Sequence, residues 1–204
     1  MFGWLRKLYD WVLHWAETPY GPLALFLLAF AESSFFPVPP DVLLIALALG
    51  ARKRSFRFAM NCSIASIIGG LFGYGIGHFL WWEGSSYTAV GHFFFNNVPG
   101  FTEQLFLRIQ EEYKIHGFII IFTAGFTPIP FKVFTITAGA FDINMPLFLL
   151  ASTLSRSARF FLVAGLIRNY GEPINTFIDR YFNLLSIVFV ILLVGGFLLL
   201  KIVF

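Results

Sequence analysis

Apolar residues run through this chain in long blocks, and the polar residues between them recur at intervals that give a helical reading throughout. Residues 1–17 set Phe2, Leu5, Leu8, Tyr9, Val12 and Trp15 at helical spacing, with Arg6, Lys7, Asp10 and His14 supplying a polar side. This predicts an amphipathic helix, too polar to span a bilayer and suited either to the headgroup layer or to docking on the protein itself. Residues 19–50 form one apolar block, broken from Glu32-Ser33-Ser34 through Pro37-Val38-Pro39-Pro40. Its arms, 20–31 and 41–50, would each reach roughly 15–18 Å as helix, about half of a ~30 Å hydrocarbon core. Two half-length arms around a proline break predict a re-entrant hairpin. Its irregular backbone would then need cover from protein or a wet cavity.

Residues 58–80 predict a full span. Gly69, Gly73 and Gly77 form a row along it that fits either close helix packing or a backbone-lined passage. Residues 82–116 are a polar connector. Within it, 102–114 has a Thr102 N-cap and an apolar stripe at Leu105, Phe106, Ile109 and Tyr113, which predicts a second surface helix. The hairpin pattern returns over 117–139. Residues 146–167 predict another span, opened by Pro146 in the first turn. Residues 182–203 predict the last span, with nothing ionisable before Lys201.

The segment Pro37-Val38-Pro39-Pro40-Asp41-Val42 recurs as Pro128-Ile129-Pro130-Phe131-Lys132-Val133. In that register Pro37 falls on Pro128, Pro39 on Pro130 and Asp41 on Lys132. With one residue of drift Phe58 then meets Phe148, Ser66 meets Arg156, Gly69 meets Arg159 and Gly75 meets Gly165. Interrupted helices at matching places in two halves are a mark of transporter architecture, with the binding site at membrane depth. The loop after the first hairpin holds Arg52, Lys53, Arg54 and Arg57 and is expected on the cytoplasmic side, whereas the matching loop, 140–146, holds only Asp142. Equivalent loops on opposite faces mean inverted repeats. The expected fold is therefore an all-α polytopic membrane protein, one domain over residues 1–204. Repeat 1 covers 19–80 and repeat 2 covers 117–168, each a re-entrant helical hairpin followed by a transmembrane helix. Amphipathic surface helices and the C-terminal transmembrane helix complete it.

Composition strengthens the membrane reading: the chain is 58% hydrophobic and 12% charged, with mean hydropathy +0.78, against about 25% charged residues in a soluble domain. The net charge of +3 matters less than its placement. A lone Cys62 excludes an internal disulfide framework. The first apolar residues alternate with charges, so no signal peptide is expected.

Ionisable residues inside the apolar blocks are few: Glu32, Asp41, Lys132, Arg156 and Arg159. Each costs about 2.5–3.5 kcal/mol on insertion scales, which makes it a site residue by default. Arg156 and Arg159 share one helix face. If the breaks at Pro37, Pro39, Pro128 and Pro130 meet near the midplane, two carboxylates and three cations share a polar pocket. Plain structural ion pairs are the alternative, but they do not explain proline breaks beside the charges. Arginine pairs with phosphate bidentately and lysine acts as a point charge, so the expected partner is a membrane lipid with an anionic or phosphate headgroup. A desolvated carboxylate could add proton coupling. A small-ion or solute transporter using the same pocket, and a non-transporting scaffold engaging partners through 82–116, are the rival readings. No enzyme is expected, since no nucleophile–base pair and no GxSxG, P-loop or HExxH motif occurs. His14, His78, His92 and His116 lack metal-ligand spacing, and neither a cofactor nor a nucleic-acid partner is expected. Asn61-Cys62-Ser63 matches a glycosylation sequon but opens a membrane helix. Tyr74 and the Trp81-Trp82 pair read as helix packing and an interfacial belt.

Ala31-Glu32 with Pro37-Val38-Pro39-Pro40-Asp41, Phe126-Thr127-Pro128-Ile129-Pro130-Phe131-Lys132-Val133-Phe134, and Arg156-Ser157-Ala158-Arg159-Phe160 together resemble the DedA family. The resemblance is closest to its YqaA-like branch, within the VTT or SNARE-associated Golgi protein group, and covers roughly residues 15–170. It implies a multi-pass protein of the bacterial cytoplasmic (inner) membrane with two facing re-entrant hairpins. It also implies a lipid flippase or scramblase, with undecaprenyl phosphate or phosphatidylethanolamine as candidate substrates and dependence on the proton-motive force in several members. By position, Glu32 and Asp41 match the family's acidic pair, and Arg156 and Arg159 lie in the basic motif of this branch. Typical members carry an arginine before the second proline break and another six residues on. Here those positions are Gly125 and Phe131, with Lys132 standing in for the second.

Overall fold

Proline and glycine punctuation sets the elements of this all-helical chain. A computed structural model describes residues 18–171 apart from Ser85, Pro99 and Pro128. The expected amphipathic helix 1–17 and C-terminal span 182–203 lie outside the described residues. Helix α1 (Gly21–Ser34) opens with Pro22 in its first turn, where a missing N–H costs nothing. It runs on through Glu32, Ser33 and Ser34, beyond the expected break. The polar groups of its last turn are satisfied there: the Ser34 hydroxyl reaches the carbonyls of Phe30 (2.7 Å) and Gly69 (2.9 Å). The backbone then leaves the helix over 35–40, because three prolines remove donors and bar the preceding residues from helical geometry. Helix α2 (Asp41–Gly50) follows, then a 3₁₀ turn (Arg52–Arg54) whose Arg52 carbonyl accepts from Ser55 Oγ at 2.7 Å.

Helix α3 (Ser55–Trp81) is the longest element and the hub, packing along α1 and against the later helices. A short antiparallel hairpin pairs β1 (Trp82–Glu83) with β2 (Ser86–Tyr87). Thr88 caps helix α4 (Ala89–Asn97) and also donates to the Leu80 carbonyl. Thr102 caps α5 (Glu103–Phe126) through Leu105 N at 3.2 Å. Helix α6 (Phe131–Ala140) begins after the second proline break, and Asn144 caps α7 (Met145–Tyr170) through Leu147 N at 3.1 Å.

Helix α5 corrects the expected boundary between a surface helix 102–114 and a hairpin arm starting at 117. The helix passes through Gly117 without a break. A single helix-interior glycine costs only about 1 kcal/mol, and Gly117 sits against Leu147 and Ile143. The arm before the second break is thus a full 24-residue helix, not a half-length one. The arm before the first break has 14 residues.

The succession of helix, proline break, ten-residue helix and long helix occurs in both halves. Helices α3 and α7 run antiparallel: Arg168 lies over Phe56 near the start of α3, and Phe148 approaches Gly70 further along it. Two apolar clusters result. One joins α1, α2, the first half of α3 and the end of α7 around Leu25, Leu44, Ala59 and Phe160. The other joins the end of α3 to α5, α6 and the start of α7 around Ile121, Phe131, Phe148 and Ala151. The segment Arg52–Trp81 and helix α7 are long and apolar enough to cross a membrane. Their outer faces expose large side chains, Met60, Ile64 and Phe72 on one and Leu150, Leu154 and Leu162 on the other.

The glycine row of α3 is packing, not passage. A Cβ on Gly69 would strike the Phe30 carbonyl, one on Gly73 the Thr135 hydroxyl, and one on Gly77 the Ile136 carbonyl. Gly139 of α6 returns the contact onto the Tyr74 carbonyl. Tyr74 Oη also donates to the Ile143 carbonyl at 2.7 Å, and Trp82 Nε1 to that of Ala140 at 2.8 Å. Trp81 stacks on Phe106 with centroids 5.1 Å apart, so this tryptophan joins the aromatic cluster between α3 and α5. Asn61 of the sequon binds the Pro22 carbonyl at 2.7 Å, tying α3 to the start of α1.

Gly77→Val should therefore lower stability by about 1–3 kcal/mol, the usual cost of overpacking. Gly75→Ala, where a Cβ meets nothing within 4 Å, should be neutral or slightly stabilising. Thermal unfolding of the purified variants in detergent checks both, and equal losses would contradict this packing.

Candidate functional site

The two proline breaks end up facing each other. Asp41 is the first residue of α2 and Lys132 the second of α6. Both line one cavity of about 220 Å³ with Glu32, Phe36, Pro37, Pro39, Ile129, Pro130, Arg156 and Arg159. All five ionisable residues singled out from sequence therefore converge, coming from α1, α2, α6 and α7. Of the break residues, Pro37, Pro39 and Pro130 line the cavity; Pro128 lies outside the described residues. A larger groove of about 500 Å³ on α3, lined by residues such as Phe72, Ile76 and Phe79, has an almost wholly apolar wall and no ionisable group.

Two ion pairs form, and they are not equivalent. Arg156 Nη2 donates to Glu32 Oε2 at 2.6 Å, and Arg156 Nε donates to Ser66 Oγ at 2.6 Å. Ser33 Oγ bridges this pair, 3.1 Å from Glu32 Oε2 and 2.5 Å from Ser66 Oγ. The guanidinium carbon lies over the rings of Phe131 and Phe160, 5.0 and 4.6 Å from their centroids. Arg156 is the largest fully buried side chain among the described residues, at 2% exposure. The charge, two of the donors and the π-face of the guanidinium are thus engaged, which offsets the cost of burying it.

The second pair is half-buried. Arg159 grips Asp41 bidentately, Nε to Oδ1 at 3.2 Å and Nη2 to Oδ2 at 2.9 Å. Its Nη1 donates to the Thr127 carbonyl at 2.6 Å. One side chain of α7 thereby holds both breaks, the first through a carboxylate and the second through a backbone oxygen. Thr135 Oγ1 adds a direct tie from α6 to the Ser33 carbonyl at 3.0 Å.

Lys132 differs from both arginines. No carboxylate pairs with it among the described residues; its Nζ reaches the Phe35 carbonyl at 3.5 Å, the far end of hydrogen-bond range. Helices α2 and α6 start at the cavity and neither has a side-chain cap, so their positive dipole ends add to the Lys132 charge.

Partners that sequence reasoning did not assign are Ser33, Ser66, Phe131 and Phe160. The alignment of Ser66 on Arg156 was the available signal for one of them, since the two are in contact. Gly125 and Phe131, the positions at which the resemblance leads one to expect arginine, are both committed to packing. A Cβ on Gly125 would strike Ser155 Oγ, so an arginine there would force α5 away from α7. Phe131 is fully buried and spends its ring on Arg156.

An uncharacterized protein of Haemophilus influenzae is 31% identical to this chain over 198 residues, covering 95% of the chain and 96% of that protein. One from Histophilus somni is 33% identical over 199 residues, covering 95% and 97%. One from Methanocaldococcus jannaschii is 27% identical over 153 residues, covering 71% and 82%, and is likewise described as uncharacterized. The chain belongs to the family that the Haemophilus and Histophilus proteins represent. No family model matches it, and no solved structure does.

Arg156→Leu should cost about 3–5 kcal/mol, because it leaves Glu32 buried without its partner. Adding Glu32→Leu should recover part of that loss, giving coupling of roughly 0.5–3 kcal/mol in a double-mutant cycle. Unfolding of the purified protein in micelles reads both. Additive losses would show that the pair is not a unit.

Proposed function

We propose that this protein is a multi-pass transporter of the bacterial cytoplasmic membrane, a DedA-like flippase or scramblase for lipids with an anionic or phosphate headgroup. The observation that carries this reading is the cavity between the two breaks, where three cations and two carboxylates meet among otherwise apolar helices. Ionisable residues at membrane depth are expensive and concentrate on substrate pathways. At about 220 Å³ the cavity is smaller than the roughly 300–1,000 Å³ of sites that enclose a whole drug-sized ligand. It would take a headgroup and leave the tails outside, against exposed side chains such as Phe35 and Phe126 at the ends of the arms.

The contacts favour an inverted-repeat reading of the two halves. Residues matched in the sequence alignment sit opposite each other: Asp41 and Lys132 line one cavity, as do Pro39 and Pro130, and Ser66 bonds Arg156. Residues near an internal two-fold axis meet their own equivalents in this way. The matched helices α3 and α7 are antiparallel, as inversion requires. On this reading the breaks are the tips of re-entrant hairpins, and the polar cavity that they line is the setting in which irregular chain is tolerated at membrane depth. The long α5 makes the second hairpin unequal, with its polar first half outside the bilayer. Arg159 and Lys132 would bind the headgroup, Arg156 would position them, and Asp41 and Glu32 would carry any proton coupling.

A non-transporting scaffold is the second reading, because paired charges can simply lock helices together. Lys132 speaks against it, since a structural lock has no need of a cation without a carboxylate.

Reconstitution tests the proposal. Arg159→Ala and Asp41→Ala should reduce translocation of a fluorescent phospholipid in proteoliposomes at least about tenfold, the scale of a lost charge-assisted contact, while membrane insertion persists. Wild-type rates in both variants would defeat it.

A further inference from the structure

We infer that an anionic phospholipid docks outside the cavity, in the seam between the start of α3 and the end of α7, with its phosphate on Lys53, Arg57 and Arg168 and a tail along Phe56 and Phe161. This goes beyond the transporter reading. It needs only that α3 and α7 stand in a bilayer, and the lipid it names is held, not moved.

Five cations, Arg52, Lys53, Arg54, Arg57 and Arg168, are exposed at this end of the helix pair. Neither α3 nor α7 carries an acidic residue, and Asp41 stands at the far end of α2. None of the five forms an ion pair among the described residues. The dipole of α3 offsets nothing, because its positive end faces the same cations. Exposed cations alone would say only which side of a membrane this end takes. Two of these, however, are held by packing. Arg168 lies over the Phe56 ring at 4.9 Å, with Nη1 3.5 Å from the Lys53 carbonyl. The Arg52 guanidinium lies against Gly171, where a Cβ would strike it. Arg168 thereby sets the charge of α7 beside that of α3, with most of its five donors unspent among the described residues.

Below the cations the seam is apolar. Phe161, Gly165 and Arg168 recur at i, i+4 and i+7, on one face of α7. Phe56 meets all three: its ring is 5.8 Å from that of Phe161 between centroids, borders Gly165 and carries Arg168. Phe56 and Met60 of α3 and Leu166 of α7 are exposed there. Cations above an apolar wall match an amphiphile with a negative headgroup, whereas a free phosphate would use the cations alone. Depth agrees with this. Residue 57 is nine positions from Ser66 and residue 168 nine from Arg159, so each lies about 14 Å along its helix from the level of the cavity. That is about half of a ~30 Å hydrocarbon core, which puts the cations at the headgroup layer when the cavity is at mid-depth.

Native mass spectrometry of the purified full chain in neutral detergent, titrated with phosphatidylglycerol or phosphatidylcholine, tests this. Phosphatidylglycerol should bind at least about tenfold more tightly. Near an anionic headgroup each Lys or Arg contributes roughly a factor of five. Lys53→Gln with Arg57→Gln should therefore weaken phosphatidylglycerol about 25-fold, and both side chains are exposed, so the fold should persist. Lys132→Gln should leave this binding in place. Unchanged affinity in the Lys53 and Arg57 double variant would overturn the inference. So would an equal loss in Arg108→Gln with Lys114→Gln, which removes the same charge from exposed positions of α5 and would reveal an effect of net charge only. Loss in Lys132→Gln alone would put the lipid in the cavity, overturning this site while the transporter reading survives. Glycerophosphoglycerol, the headgroup without tails, bound as tightly as the lipid would overturn the role of the apolar seam and with it the lipid as occupant.

Discussion

The buried contact between Arg156 and Glu32 is the constraint on which the rest of the architecture depends. It sits where the two apolar clusters meet, and it joins α7 to α1 through a guanidinium with almost no exposure. A buried arginine is tolerated only when its charge and donors are satisfied in place. Glu32 of α1 and Ser66 of α3 accept from it, Ser33 of α1 holds both acceptors, and Phe131 of α6 and Phe160 of α7 lie against the guanidinium. Four helices must therefore be in register before this side chain can be buried, which makes the pair a specifier of one arrangement.

Close backbone approach is what brings those groups within reach. Side chains larger than hydrogen at Gly69, Gly73, Gly77 and Gly139 would separate α3 from α1 and α6. Helices that rely on small residues gain van der Waals contact and short polar reach instead of hydrophobic burial, an economy suited to an apolar solvent. The same logic governs Gly125: its missing side chain lets α5 and α7 approach, and that approach leaves no room for an arginine. Packing in one place thus decides the chemistry available in another.

The contrast between the pairs divides structure from function within one cavity. Arg156 is fully buried, whereas Arg159 and Asp41 are half-buried and bridge the two breaks. Lys132 remains the cation with least compensation. In the proposed transporter the fixed pair would hold the frame and the open one would exchange partners with the ligand.

Much of the outline was legible in the chain alone. Local sterics put breaks at Pro37–Pro40 and near Pro130, Thr102 and Asn144 mark helix starts, and apolar length marks the segment beginning at Arg52 and helix α7. The rarity of charge in apolar blocks singled out all five ionisable residues that line the cavity. The continuity of α5 was not legible, because a lone glycine and a polar-to-apolar change of composition imitate a boundary that only its packing on α7 denies. Nor was the pairing of Glu32 with Arg156 and of Asp41 with Arg159, since residues so far apart along the chain become neighbours through helix register alone. Residue type determined which groups would be too costly to leave without partners; three-dimensional packing decided which partner each received, and so which cation of the cavity was left without a carboxylate.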